Sequence, residues 1–300
     1  MIPDHQKGAQ MNIIQFYNTD YVCGVCRNIQ MPGEVTSLIL NAMRTADLNA
    51  MEELLNNLIS MQTAQKAVDA MEELLETENG GYLCLSAYLA ATAHTKEIYQ
   101  TKHIGDDIFF ATMACFQRFT LEYQEKFGVW GYDNVKWAHR QINGLLFRCG
   151  RLEYEFFQFP KDNIKLDDIV LHCCDDVLSV HIPSGGSLTH QECRESYRLA
   201  KEFFSIYDPG YHPKAFYCYS WLMCPTIKEI LPPESNIVRF QNDYLIFDRD
   251  INSNDMLSRV FGKLQEHLDD YKTDTSLQRA VVRALKNNMA FSTAYGVFKY

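Results

Sequence analysis

His181 stands three residues ahead of a run of small residues, Ser184-Gly185-Gly186-Ser187. An imidazole exchanges a proton near neutral pH, so a histidine at such a place can serve as a general base. A glycine loop that leads into a helix can present free backbone N–H groups to a phosphate. Each has a plainer reading. The histidine can be structural, bonded to a loop carbonyl, and the glycines can serve only the positive φ of an ordinary strand-to-helix turn. Glu153 lies between Leu152 and Tyr154 in a strand-like stretch, where a carboxylate needs a partner or a function. The nearby Arg148 and Arg151 offer an ion pair. Cys23-Gly24-Val25-Cys26 has the form of a redox dithiol. A thioredoxin-like domain would need strands soon after, and helical patterning follows instead. A zinc site would need a second pair, for which His172-Cys173-Cys174 is too compressed. These cysteines are expected to be inert, and no metal is expected. No Ser–His–Asp spacing, metal-ligand cluster or Walker-type loop is visible.

The elements that must position these residues can be read from apolar period. Val177–Ile182 alternates and is rich in β-branched residues, so a strand is expected there. Its parity puts Val177, Ser179 and His181 on one face. Pro183 ends it, and Ser187 or Thr189 can cap a helix over 191–204. Residues 145–159 are strand-like, but the alternation changes parity across Gly150, and a β-bulge there would restore one apolar face. Further strands are expected near 169–172 and 216–221, with a hairpin formed by 236–240 and 244–247. Helical spacing marks 226–231, 255–271 and 277–286, the last capped by Ser276, ahead of a short apolar tail. From about Pro32 to Phe127 the period is helical, broken at Gly80-Gly81 and resumed over 82–99 and 106–126. Ala-Met-Glu-Glu-Leu-Leu occurs at 50–55 and again at 70–75. A single echo means two similar amphipathic helices, since repeat architectures need at least three copies.

The chain has 300 residues, which suggests two domains. The change of period places a helical domain at 1–135 and a mixed sheet with flanking helices at 136–300, an α+β arrangement. Hydrophobic residues make up 47%, enough for packed cores. The formal net charge of -10 argues against a nucleic-acid binder, which needs a basic face, but leaves room for a local phosphate pocket. Met1–Gln10 lacks the apolar segment of a secretory signal, no run reaches the length of a membrane span, and several cysteines sit in apolar segments. A cytoplasmic protein that uses neither membrane nor nucleic acid is expected.

Four stretches together resemble the GNAT-like acyltransferases, in a two-domain form with a helical N-terminal domain. They are Arg140–Glu155, Val177–Pro183 with Gly185-Gly186, Cys218–Leu222, and Ser235–Phe240. The resemblance covers about half the chain well. It implies that Val177–Ile182 leads into a loop and helix that bind the pyrophosphate of acyl-CoA, the co-substrate, with Ser184, Gly185, Gly186 and Ser187 as the cradle. The usual loop has Arg or Gln followed by spaced glycines, and Ile182–Ser187 departs from that pattern. The resemblance further implies direct acyl transfer to a small-molecule or peptide acceptor, with His181 as the first candidate base and Glu153 as the second. The alternative is a non-catalytic ligand-binding or interaction protein on the same fold. A groove between the Val177 and Phe216 strands plugged by Tyr219 or Trp221 would favour that alternative.

Overall fold

In a computed structural model that describes residues 12–300, the chain divides into two compact units, one ending at Arg148 and one running from Cys149 to Tyr300. The Met1–Gln10 segment lies outside the described residues.

The first unit is helical, as its 3.6 period requires. Ile13–Phe16 is a short 3-10 turn, not the strand a redox domain would need. Thr19–Asn28 is capped by Asn18, whose side chain accepts from the Tyr21 N–H. Leu48–Leu58 is capped by Asp47. The two copies of the six-residue echo fall in Leu48–Leu58 and Ala64–Thr77, two separate amphipathic helices. Tyr82–Thr101 is apolar on every side because its neighbours surround it, with Leu85, Tyr88 and Leu89 fully buried. Among the described residues, no helix is long and apolar enough to cross a membrane.

The sheet starts where the period changes to two. Leu146–Cys149 (β1) spans the boundary between the units, and the turn Gly150-Arg151 leads into Leu152–Gln158 (β2). The bulge expected at Gly150 is therefore absent: the chain turns there, and Gly150 supplies the positive φ, +66°, that two-residue turns call for. A turn changes parity as a bulge would, which is why the sequence pattern fitted both. The remaining strands are Ile164–Leu166 (β3), Ile169–Leu171 (β4), Asp176–His181 (β5), Ala215–Ser220 (β6), Leu245–Asp250 (β7) and Thr293–Lys299 (β8). From β2 onward the main sheet runs β2-β5-β6-β8-β7, while β3 and β4 form a separate hairpin.

The antiparallel register of β2 on β5 sets Glu153 opposite His181 and Glu155 opposite Ser179. Cross-strand partners share a face, so all four side chains lie on one side of the sheet. Tyr154, Phe156, Leu178 and Phe216 lie on the other, under the helix His190–Tyr207. There Phe156 meets Phe204 edge-on at 5.1 Å between ring centroids, and Phe216 meets Tyr197 at 5.4 Å. Buried Ser196 joins helix to strand: it accepts from the Leu152 N–H at 3.0 Å and donates to the Cys149 carbonyl. Away from the polar quartet, the first face is apolar and is covered by the β3-β4 hairpin, with Leu166 and Leu171 against Val177 and Tyr217.

Four more expectations are corrected here. Residues 236–242 form a helix rather than one arm of a hairpin: Ser235 caps it by accepting from the Val238 N–H, and its Gln241 donates to the Leu222 and Cys224 carbonyls at 2.6 and 2.9 Å. The helix starting at Asp255 stops at Phe261 instead of reaching 271, and the later helix is capped by Thr275, not Ser276. The apolar tail is β8, held between β6 and β7. A strand that pairs on both sides with distant segments has no local signal beyond its composition.

Candidate functional site

β5 and β6 run parallel, as strands joined through a helical crossover can. Their ladder pairs Leu178 with Phe216 and Ser179 with Tyr217. Among the described residues no pairing between them continues to Val180 and His181, or to Cys218, Tyr219 and Ser220. The sheet therefore opens at the carboxyl ends of these two strands. Tyr219 does not fill the opening: its ring stacks on its β8 partner Tyr295 at 4.4 Å, and its hydroxyl donates to Asp250 at 3.0 Å. Burial and the neighbouring Asp250 carboxylate hold that hydroxyl well above the ordinary tyrosine range. Trp221 packs instead against the apolar cluster of Ile227, Val238 and Val281.

His181 is the last residue of β5, at the edge of the opening. Its Nε2 lies 2.9 Å from Glu155 Oε2, a diagonal contact across the β2-β5 pair. Both side chains are mostly buried, at 20% and 13% exposed. Glu153, the second candidate, sits directly across the ladder from His181 and is buried at 3%. The structure thus sets the two candidates, His181 and Glu153, opposite each other, with Glu155 beside them. The sequence carried a signal for Glu155, since Glu153-Tyr154-Glu155 in a strand puts both carboxylates on one face.

The loop Ser184-Gly185-Gly186-Ser187 follows at once and is exposed. Gly185 takes φ +81°. Among the described residues, the backbone N–H groups of Gly185, Gly186, Ser187 and Leu188 have no protein acceptor. The helix behind them is already capped by Thr189, whose hydroxyl accepts from the Glu192 N–H while the Glu192 carboxylate reaches back to the Thr189 N–H. Glu192 also accepts from Ser187 Oγ at 2.8 Å. Bonds from Thr189 and then Ser187 hold its carboxyl below the usual glutamate range. The N–H groups without an acceptor therefore lie in the loop, ahead of the capped first turn. Arg151, read from sequence as a partner for Glu153, donates to this loop from Nε and Nη2.

The Cys23 and Cys26 thiols lie one turn apart within Thr19–Asn28. Burial pushes the Cys26 thiol up to about 11, the reverse of an activated thiolate. Among the described residues, no group of three or more His, Cys, Asp or Glu could hold a metal ion.

This architecture has known counterparts. Residues 146–298 match the family described as the GNAT-like C-terminal domain, and residues 22–144 match the N-acyltransferase N-terminal domain. No curated protein matches the chain in sequence. Among solved structures, an acyltransferase in complex with decanoyl-CoA and teicoplanin is similar, with TM-score 0.74 and 20% identity over 93% of this chain and 88% of that one. A mutant acyltransferase in complex with octanoyl-CoA gives TM-score 0.76 at 19% identity, with 93% and 88% covered. An acyltransferase in complex with CoA and 10C-teicoplanin gives TM-score 0.76 at 19% identity, with 93% and 87% covered. At this identity the likeness is one of fold, a helical unit followed by a mixed-sheet unit. The family matches cover both halves in tandem, and the chain belongs to the GNAT-like C-terminal domain family, preceded by an N-acyltransferase N-terminal domain.

Proposed function

We propose that the protein transfers an acyl group from acyl-CoA directly to the amine or hydroxyl of a small-molecule or peptide acceptor. The parting of β5 and β6 beyond Ser179 and Tyr217 is the observation that carries this reading. It places the end of β5 beside the His181–Glu155 pair, with a row of unbonded loop N–H groups alongside. The similar acyltransferase structures hold CoA or its decanoyl and octanoyl thioesters, which supports a CoA thioester as donor. Two of them also hold teicoplanin or its 10C form, which supports a small-molecule acceptor.

In this reading the diphosphate lies over Ser184–Ser187, and the pantetheine arm enters between the two strands. Every second N–H of β5 points to the β6 side, so one of them can polarise the thioester carbonyl. The acceptor attacks the carbonyl carbon and gives its proton to His181, whose ring Glu155 orients. The tetrahedral intermediate collapses, the C–S bond breaks, and the CoA thiolate takes a proton. Glu153 is the second candidate base. Neither Tyr219 nor Trp221 closes the opening, which supports transfer over passive binding.

The test follows thiol release from decanoyl-CoA against a panel of amine and alcohol acceptors. His181→Ala should bind CoA nearly as the wild type does, and turn over roughly 10²-fold more slowly, the scale of a lost general base. Unchanged turnover would move the base to Glu153 or to water.

A further inference from the structure

We infer that Arg151 is the positioning residue of the diphosphate loop, turning two of its N–H groups outward toward the anion. This rests on the proposed binding of acyl-CoA at Ser184–Ser187. Arg151 donates from Nε to the Ser187 carbonyl at 2.7 Å and from Nη2 to the Gly186 carbonyl at 3.0 Å. Among the described residues no peptide bond is cis. In a trans peptide the C=O and the following N–H point in opposite directions. Holding the Gly186 and Ser187 carbonyls toward the guanidinium therefore sends the Ser187 and Leu188 N–H groups to the opposite side. Those two groups are among the four that lack a protein acceptor. Successive N–H groups facing one way form an anion-binding concavity.

Arg151 is the second residue of the Gly150-Arg151 turn and directly precedes β2, which gives its side chain a fixed base beside the loop. Its charge also offsets Glu192, which accepts from Ser187 on the same loop. A lysine would keep the charge but could not hold both carbonyls in a planar fork. Loop geometry and charge are thus separable.

The experiment measures, by calorimetry, binding of CoA and of pantetheine, which lacks the diphosphate, to the wild type, Arg151→Lys and Arg151→Met. Wild type should prefer CoA. Both variants should weaken CoA binding about tenfold or more, the scale of a lost charge-assisted bond, and leave pantetheine binding unchanged. A purely structural defect would lower both together and would overturn the inference. Full CoA preference in Arg151→Lys would show that charge suffices and would overturn it too. If Arg151→Met does not fold, Arg151→Lys alone decides. A wild type that binds both ligands equally, or neither, would instead remove the diphosphate reading on which the inference stands.

Discussion

His181 closes a strand whose middle is buried, so its ring has few positions available, and Glu155 selects one of them at 2.9 Å. A carboxylate bonded to one ring nitrogen fixes the tautomer and orientation of the imidazole, which suits the other nitrogen to take an acceptor proton. Glu155→Gln keeps the size and a hydrogen bond but removes the charge that stabilises the imidazolium. Its turnover should fall about tenfold or more, less than in His181→Ala, with CoA affinity unchanged. Steady-state kinetics beside calorimetry read the two effects separately, and equal turnover in wild type and Glu155→Gln would leave His181 acting alone. At this scale the sequence was partly legible. Strand parity put His181 on the face that also holds Ser179, and the register shows Glu153 and Glu155 on it as well. The two-bond grip of Arg151 on the loop was not legible, because it joins residues 35 and 36 positions apart across a fold that local patterning does not describe.

Among the elements, the turn at Gly150 controls how β2 enters the sheet. Its φ of +66° is costly for any residue with a Cβ, and an added methyl would sit 3.1 Å from Leu199 Cδ1 on the packed helix. Gly150→Ala should therefore lower stability by about 1–2 kcal/mol, read as a fall in the urea midpoint. A midpoint equal to the wild type's would mean that the turn relaxes freely. The strands β5 and β6 and the helix between them were readable from period, and its cap was narrowed to Ser187 or Thr189, of which Thr189 serves, since each is fixed by short-range chemistry. Residues 236–242 were not. Short apolar runs suit either structure, and here Ser235 and the buried bonds of Gln241 decide for helix. β8 was missed because its identity comes from β6 and β7, which are distant in the chain.

For the whole molecule, the two-part organisation followed from one change of apolar period near Gly144, and a helical unit and a mixed-sheet unit are what the chain forms. An acidic protein of net charge -10 could hold a polyanionic donor only through local features, not through its overall field. The unbonded N–H row of Gly185–Leu188, backed by Arg151, is such a feature. The central claim is that this loop receives the diphosphate of a CoA thioester. Isothermal titration of CoA into the wild type and into Ser184→Glu tests it most directly. Ser184 is exposed, so the added carboxylate should not disturb folding but should place negative charge where the diphosphate lies. The account predicts saturable binding by the wild type and a loss of affinity of about tenfold or more in Ser184→Glu. Equal affinity in the two proteins, or no binding by the wild type, would contradict it.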